Sequence, residues 1–126
     1  MSITHLGIIA DGNRRWAVEN GLPKIEGHTQ GLKTIEELVG AAAKAKIPYV
    51  TFYVFSTENF KRSAEEVGHL MDIFVWLYKR NLKDFMKDNI KVIFSGRDEP
   101  LPKSVIAARD ELVEKTKNNT GGIVNF

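Results

Sequence analysis

A short segment near the beginning of the chain combines the side chains that a diphosphate site needs. Residues 11–16 (Asp-Gly-Asn-Arg-Arg-Trp) bring together a carboxylate, a flexible glycine, an amide and two guanidinium groups, directly after the apolar run of residues 6–10. At a turn from a strand into a helix, unpaired backbone N–H groups and the positive end of the helix dipole favour a bound phosphate. The segment therefore predicts a site that handles a diphosphate.

Two other polar segments are expected to lie near the first one. Residues 55–62 (Phe-Ser-Thr-Glu-Asn-Phe-Lys-Arg) follow a predicted second strand, and residues 24–28 contribute Lys24 and His28 near the start of a long helix. In an open parallel sheet, ligands bind beyond the carboxyl ends of the strands, so the segments after strands one and two should share a crevice. This crevice would join one carboxylate and several cations to an apolar helix, which suits an amphiphilic diphosphate.

Hydrophobic periodicity predicts that strands and helices alternate along the chain. The predicted strands are residues 5–10, 49–55, 90–94 and 123–126, and the main predicted helices are residues 28–46, residues 67–86 and a segment introduced by Pro102 and Ser104. This order indicates an α/β fold, with an open parallel sheet, right-handed crossovers and helices on both faces. We expect a single domain over residues 1–126 that is truncated after about four strands, and is therefore incomplete at its C-terminus.

Several of these features also have simpler interpretations, which the sequence leaves open. Ser63 and Glu66 form a capping-box pattern at the start of a helix. The apolar stripe of residues 67–86 packs on the sheet as core and could also line a tunnel. The aromatic and β-branched run of residues 49–55 is typical of a strand covered on both faces. Glu58 either caps a turn or pairs with Arg62.

The composition restricts the class of protein. With 126 residues, 43% of them apolar, the chain fits a globular domain with a modest core, and its 18 basic and 16 acidic side chains give a net charge of +2, which implies no nucleic-acid partner. The absence of cysteine excludes disulfides and thiolate metal sites. There is no signal-peptide pattern and no apolar run of about 20 residues, so we expect a cytoplasmic protein without a transmembrane segment.

In these residues the sequence resembles the cis-prenyltransferase family, whose members include undecaprenyl diphosphate synthases. Residues 5–16 look like the first family signature, Gly27 and His28 with the helix that follows look like the second, and residues 55–62 look like the third. The three signatures occur in the family's order and with suitable spacing. The resemblance extends over all 126 residues and covers about the N-terminal half of a typical member.

The resemblance implies a reaction and a set of site residues. The family condenses isopentenyl diphosphate with an allylic diphosphate such as farnesyl diphosphate, and each addition creates a cis double bond. By this analogy Asp11 would engage Mg²⁺ and the departing diphosphate, and Asn59 would position or relay a group on the path of proton removal, because an amide is a poor base. The implied substrate-binding residues are Gly12, Asn13, Arg14, Arg15 and His28 for the allylic diphosphate, Ser56, Glu58, Asn59, Phe60 and Arg62 for isopentenyl diphosphate, and Trp16, Lys24 and Thr57 without assignment to either.

The sequence also departs from the family pattern. Lys24 stands where members usually carry Arg. The lysine keeps the positive charge, but it lacks the planar guanidinium that can bind a phosphate through two hydrogen bonds. Three family elements have no counterpart in residues 1–126: an arginine-rich segment that grips isopentenyl diphosphate, a Glu that helps to place the metal, and much of the dimer surface. We expect either a fragment of a longer enzyme or a chain that another chain completes. The complete enzyme would form a homodimer and contact a membrane peripherally to release its product.

Two alternative classes remain open. One is a catalytically silent fragment or partner subunit that binds an allylic diphosphate without turnover. The other is a nucleotide-binding or phosphate-ester-hydrolysing α/β domain, because phosphate sites at strand-to-helix turns occur on many folds. That second class requires a glycine-rich phosphate loop or a second carboxylate beside the first, and the sequence shows neither.

Overall fold

Four parallel strands alternate with helices along residues 2–126, the part of the chain that the computed structural model describes. The elements are β1 (His5–Ile9), α1 (Asn13–Glu19), α2 (Lys24–Lys44), β2 (Tyr49–Tyr53), a 3₁₀ helix (Thr57–Lys61), α3 (Ala64–Lys87), β3 (Ile90–Ile93), α4 (Lys103–Thr116) and β4 (Gly122–Asn125). The strands form one sheet in the order β1-β2-β4-β3, and every neighbouring pair is parallel. The α/β class and the parallel sheet are therefore confirmed.

One face of the sheet, called the inner face below, carries the core. Its buried strand residues include Val50 and Phe52 on β2, Val92 on β3 and Val124 on β4. The apolar stripes of α2, α3 and α4 join these side chains in one hydrophobic cluster. Because the cluster fixes α2 and α3 on this face, the carboxyl ends of β1 and β2 lie beside those two helices.

The opposite face, called the outer face below, has no helix of residues 2–126 packed on it. It consists of side chains that are all exposed or half-buried, namely His5, Gly7, Ile9, Tyr49, Thr51, Tyr53, Lys91, Ile93, Ile123 and Asn125. Ile9 is 75% exposed, Tyr53 58% and Tyr49 49%. The prediction that residues 49–55 form a strand covered on both faces is therefore wrong, because the composition that favours a strand does not report how its faces are covered.

The two edges of the sheet differ. At the β3 edge, the backbone N–H of Val92 donates to the hydroxyl of Thr116 on α4 at 3.0 Å, and Thr116 is completely buried. The same hydroxyl donates to the carbonyl of Leu112 at 2.8 Å. Both β1 and β3 are edge strands, and at β3 one backbone donor is bonded to α4.

The first residues of the helices are set by capping residues and by proline more closely than by apolar periodicity. α3 begins after Ser63, whose hydroxyl accepts the N–H of Glu66 at 3.2 Å, as the capping pattern predicts. α2 begins at Lys24 and not at residue 28, since Pro23 precedes a polar first turn that apolar periodicity cannot detect. Among the described helices, none has the length and apolar content that a membrane-spanning helix requires.

Candidate active site

A cavity of about 460 Å³ opens at the carboxyl ends of β1 and β2, where the sequence predicts the site. The predicted site residues that line this cavity, called the mouth below, are Asp11, Gly12, Asn13, Arg14, Arg15, His28, Ser56, Asn59 and Arg62. Segments that are far apart in the sequence therefore meet here, because parallel strands bring their carboxyl ends to the same edge.

The other predicted site residues lie elsewhere. Thr57 and Phe60 line a second cavity beside the mouth. Glu58 and Lys24 are exposed, and Trp16 on α1 is 40% exposed. The structure does not bring these last three side chains to the lining of either cavity within residues 2–126.

Gly12 sets the turn from β1 into α1. Its backbone has φ +90° and ψ 0°, a left-handed conformation that residues with a Cβ rarely adopt. Its N–H donates to the Asp11 carboxylate at 2.8 Å, and no side chain caps the N-terminus of α1 within the described residues. The first-turn amides of α1 therefore border the mouth without a side-chain acceptor, which favours an anion.

Two glycines of α2 allow α1 to approach closely. A Cβ at Gly27 would lie 2.0 Å from the carbonyl oxygen of Asn13, and one at Gly31 would lie 2.5 Å from its Nδ2. Sequence reasoning selected Gly27 but missed Gly31. The signal was present, because small residues four positions apart lie on the same face of a helix and mark a close contact.

A carboxylate that sequence reasoning assigned only to a helix cap lies at the centre of the site. One oxygen of Glu66, Oε1, is 3.0 Å from Nε of Arg14, 3.3 Å from Nε2 of His28 and 3.8 Å from Nη1 of Arg62. The three partners come from α1, α2 and the residue after the 3₁₀ helix. Glu66 therefore links the three segments that carry Arg14, His28 and Arg62.

The role of Glu66 was missed because the capping pattern explains only its backbone N–H, whereas the carboxylate of the side chain contacts Arg14 and Arg62. The Glu66 N–H is capped by Ser63, as predicted, but the carboxylate turns towards the mouth. Arg62 pairs with Glu66, so of the two interpretations left open for Glu58 the pairing with Arg62 does not occur among the described residues. The spacing of Arg62 and Glu66, four residues apart, was the available signal.

Arg14 has an unsatisfied donor in this cluster. Its Nε lies 3.0 Å from the Glu66 carboxylate, but the N–H does not point at that oxygen, and the atom is buried without a hydrogen-bond partner within the described residues. An unmade hydrogen bond of a buried charged group is costly. The rest of the Arg14 side chain is 39% exposed, so its other guanidinium hydrogens are the ones that an anion could meet.

Burial controls the protonation of His28. The side chain is 7% exposed, and desolvation lowers the pKa of its imidazole below the ordinary value of 6.5. The hydrogen bond with Glu66 opposes this shift, and the nearby Arg62 and Arg14 reinforce it. At neutral pH the imidazole is therefore uncharged, and Nε2 donates to Glu66.

This shift predicts that the fold loses stability in mild acid. Below pH 6.5 the unfolded chain protonates His28 and the folded chain does not, so stability falls as the pH drops from 6.5 through the lowered pKa of the folded state. Denaturant unfolding at several pH values should show a smaller acid loss for His28→Gln than for the wild type. His69→Gln, at an exposed position, should keep the wild-type dependence, and identical profiles for all three proteins would refute the assignment.

Asn59 is held by the backbone of the same segment. Its Oδ1 accepts the N–H of Ser56 at 3.0 Å, so the Nδ2 hydrogens are the part of the amide that remains free. The side chain can therefore donate a hydrogen bond into the mouth, and its amide oxygen, which already accepts one hydrogen bond, is a very weak base. This geometry agrees with a positioning role and not with a general base.

Asp11 has the exposure of a residue that meets a ligand. Its carboxylate is 78% exposed, and Oδ2 lies 3.5 Å from the guanidinium of Arg15. Within residues 2–126 no three His, Asp or Glu side chains gather into a metal-binding group. The residues therefore fit a Mg²⁺ ion whose ligands are one protein carboxylate, water molecules and the phosphates of the substrate.

The mouth adjoins an aromatic cavity of about 360 Å³, and Tyr53, Val54, Ser56 and Phe74 line both. Its aromatic lining includes Phe52, Phe55, Phe60, Phe74, Tyr78, Phe94 and Phe126, with ring centroids of Phe55 and Phe60 4.4 Å apart. Burial raises the pKa of the Tyr78 hydroxyl, which therefore stays neutral.

A third cavity of about 290 Å³ lies between α2 and α3, lined by Ile35, Val39, Leu77 and Tyr78 among others. Ile35 also lines the mouth, and Tyr78 also lines the aromatic cavity, so the three spaces adjoin. The apolar stripe of α3 is part of the core, and the tunnel interpretation stays a prediction. Met71, Phe74 and Tyr78 are all buried in the core, and each also borders a cavity.

The fold and the site define a parallel α/β protein with a cation-rich mouth above adjoining apolar cavities. The family model Prenyltransf, described as "Putative undecaprenyl diphosphate synthase", matches residues 9–126. The chain therefore belongs to this family, as the resemblance of its three signatures implied.

Individual relatives agree with this assignment. An isoprenyl transferase of Shouchella clausii is 45% identical over 97% of this chain and 48% of its own length, and one of Treponema pallidum is 42% identical over 95% of this chain and 53% of its own. Among solved structures, lavandulyl diphosphate synthase from Lavandula x intermedia in complex with dimethylallyl diphosphate has a TM-score of 0.92 and 28% identity, over 97% of this chain and 52% of that one. The chain thus spans about half the length of the curated relatives it matches.

Proposed function

We propose that residues 1–126 form the part of a cis-prenyltransferase that binds the allylic diphosphate. The observation that carries the proposal is that a mouth lined by Arg14, Arg15 and His28 adjoins an aromatic cavity with which it shares lining residues. An allylic diphosphate such as farnesyl diphosphate has the matching chemistry, with a highly charged head and an apolar chain. The solved structure of lavandulyl diphosphate synthase supports this, because its bound dimethylallyl diphosphate is an allylic diphosphate.

The proposed reaction joins the allylic carbon to isopentenyl diphosphate. The bond between C1 of the allylic substrate and its diphosphate oxygen breaks, a carbon–carbon bond forms to the isopentenyl unit, and loss of a proton from that unit leaves a cis double bond. Negative charge therefore grows on the departing diphosphate. Fixed donors that face this charge stabilise the transition state more than the ground state.

The residues of the mouth divide this work. The first-turn amides of α1 and the exposed part of the Arg14 guanidinium would hold the diphosphate. Binding would also favour a proton on His28, because the anion offsets the desolvation that lowers its pKa. Asp11 would hold Mg²⁺, which when bound neutralises part of the charge on the leaving group.

The isopentenyl side of the site would use Ser56, Asn59 and Arg62. Asn59 would donate its Nδ2 hydrogens to this substrate and fix its orientation, while the proton leaves to another acceptor. The exposed positions of Trp16, Lys24 and Glu58 give no support to a direct role for these three, and their assignment stays a prediction. A homodimer, membrane contact and a cytoplasmic location for the complete enzyme also stay predictions.

The chain alone is expected to bind without turning over. Condensation requires both substrates to be fixed within bonding distance, and the arginine-rich segment implied for the second diphosphate has no counterpart in residues 1–126. A chimera in which residues 1–126 are followed by the part of the Shouchella clausii isoprenyl transferase beyond the aligned region, called the completed enzyme below, should restore the reaction.

The test measures incorporation of labelled isopentenyl diphosphate with farnesyl diphosphate and Mg²⁺. We expect incorporation by the completed enzyme and none by the 126-residue chain. A folded completed enzyme without incorporation would contradict the proposed reaction. Robust incorporation by the chain alone would show that residues 1–126 contain the second diphosphate site as well.

The cavity between α2 and α3 predicts where the growing product lies. Val39→Trp would fill this cavity, so the completed enzyme should make shorter products and still carry out the first condensation. Val18→Trp, at a 62% exposed position on α1, is the matched control and should leave product length unchanged. If Val39 is only a core residue, overpacking should lower stability by about 1–3 kcal/mol without shortening the product. Chain-length analysis beside thermal melts separates these outcomes.

A further inference from the structure

The exposed side of the second half of α3 combines a tryptophan with a row of cations. Spacings of three or four residues place these side chains on one face of the helix. This face, called the basic stripe below, consists of Trp76, Lys79, Arg80, Lys83 and Lys87, and all five are exposed. Residues 76–87 contain four basic side chains and one acidic one, whereas the whole chain has 18 and 16. The stripe ends at Trp76, because the exposed positions before it include Glu65 and Asp72.

The lysines of the basic stripe are not neutralised within the part of the chain that the structure describes. None of the three forms an ion pair there. Glu111 on α4 lines a groove with Lys79, but its carboxylate is held by Lys115 at 2.8 Å. Asp84, the acid of the segment, lines the cavity between α2 and α3. The helix dipole favours a cation in the last turn, so it accounts for Lys87 and not for the other cations of the stripe.

Trp76 is fixed on the surface beside these cations. The guanidinium of Arg80 lies 4.7 Å from the centre of the indole ring, and its Nε lies 3.8 Å from the Glu36 carboxylate on α2. The ring is nevertheless 47% exposed. Tryptophan joins an apolar ring to one polar N–H, a combination that is enriched where a bilayer meets water. Lysines beside it can lay their apolar stems along the surface and keep their charges at the lipid phosphates. The stripe thus has the composition of a helix face that lies on an anionic bilayer.

The position of the stripe favours a bilayer over an acidic protein. The buried side of α3 supplies Leu77, Tyr78 and Phe85 to the cavity in which the growing product is proposed to lie. The basic stripe is therefore on the outside of the helix that forms a wall of this cavity. A long prenyl chain partitions out of water, and a bilayer beside the cavity is an environment that can receive it.

We infer that the basic stripe docks this chain on an anionic lipid bilayer. Trp76 enters the headgroup region, and the lysines lie against the lipid phosphates. The inference rests on the proposed function for the choice of a bilayer over an acidic protein. Its test measures lipid binding without either diphosphate, so the inference and the proposed reaction can fail separately.

Vesicle sedimentation tests the choice of lipid. The 126-residue chain should bind vesicles of equal parts phosphatidylglycerol and phosphatidylcholine at least about tenfold more tightly than vesicles of phosphatidylcholine alone, and salt should weaken this binding. Equal binding to the two kinds of vesicle would overturn the inference. Polyglutamate is the competing probe, and binding of polyglutamate as tight as that of the anionic vesicles would identify an acidic polypeptide as the partner and overturn it too.

Two matched pairs of substitutions test the stripe. Lys83→Gln/Lys87→Gln and Lys33→Gln/Lys44→Gln each remove two exposed lysines, one of them from the last turn of its helix. A basic side chain at an anionic surface strengthens binding about fivefold, so the pair on α3 should weaken binding to the anionic vesicles by about tenfold or more. The pair on α2 should change it less than about twofold. Thermal melts of both variants confirm that the fold is kept. Equal losses for the two pairs would contradict a docking surface on α3.

Tryptophan fluorescence tests the contact itself. Trp16→Phe leaves Trp76 as the one tryptophan of the chain. Its emission should shift to shorter wavelength on the anionic vesicles and should be quenched by brominated lipid. Vesicle binding without these changes would place the contact on another face. A shift that occurs without lipid and grows with protein concentration would identify a second copy as the occupant, and either result would overturn the inference.

Discussion

Asp11→Ala is expected to reduce the turnover of the completed enzyme by about 10²–10³-fold while leaving its melting temperature unchanged. The carboxylate is 78% exposed and packs against nothing in the core, so its removal should not disturb the fold. Asp11 is proposed to hold the Mg²⁺ that neutralises part of the negative charge developing on the departing diphosphate. The loss should therefore appear in kcat and not only in KM.

The control for this experiment is Glu19→Ala, which removes an exposed carboxylate at the other end of α1. Steady-state rates across a range of Mg²⁺ concentrations should show a weakened response to the metal for Asp11→Ala alone. Near-normal turnover of Asp11→Ala would exclude Asp11 from the chemistry. A lowered melting temperature would instead indicate a structural role that the exposure of the side chain does not suggest.

Gly27→Ala is expected to damage both the fold and the mouth. The new Cβ would lie 2.0 Å from the carbonyl oxygen of Asn13, which is backbone and cannot rotate away. α1 would have to move, at a cost of about 1–3 kcal/mol in stability. Since α1 carries Asn13, Arg14 and Arg15, affinity for the allylic diphosphate should fall together with stability.

Gly40→Ala provides a control within the same helix. A Cβ at Gly40 meets no atom within 4 Å, so this variant should gain up to about 1 kcal/mol from the better helix propensity of alanine. Denaturant unfolding of the two variants compares the same chemical change at two sites of α2. If Gly27→Ala proved as stable as Gly40→Ala, the close contact between α1 and α2 would not exist in solution.

The parts of the molecule that follow local rules could be predicted from the sequence. A run of β-branched and aromatic residues predicted β2, and the pattern of Ser63 and Glu66 predicted the start of α3. The topological rule for parallel sheets predicted one crevice for residues 11–16 and 55–62. The structure brings residues 11–15, Ser56, Asn59 and Arg62 together there.

The remainder depends on contacts that no local pattern contains. The carboxylate of Glu66 reaches Arg14 and His28, which lie more than 35 residues away in the sequence. Gly31 leaves room for the side chain of Asn13, which comes from another helix. The bare outer face could not be predicted either, since Tyr49 and Tyr53 tolerate both burial and water. Composition alone cannot distinguish a covered face from one that is open to a partner.

The most direct test of the proposed function is a titration of the 126-residue chain with farnesyl diphosphate in the presence of Mg²⁺, with farnesol as the uncharged control ligand. We predict saturable binding of farnesyl diphosphate, weakened at least about tenfold by Arg14→Ala because a charge-assisted contact with the diphosphate is lost, and no measurable binding of farnesol. Equal binding of the two ligands, or wild-type affinity in Arg14→Ala, would contradict a diphosphate site in the mouth.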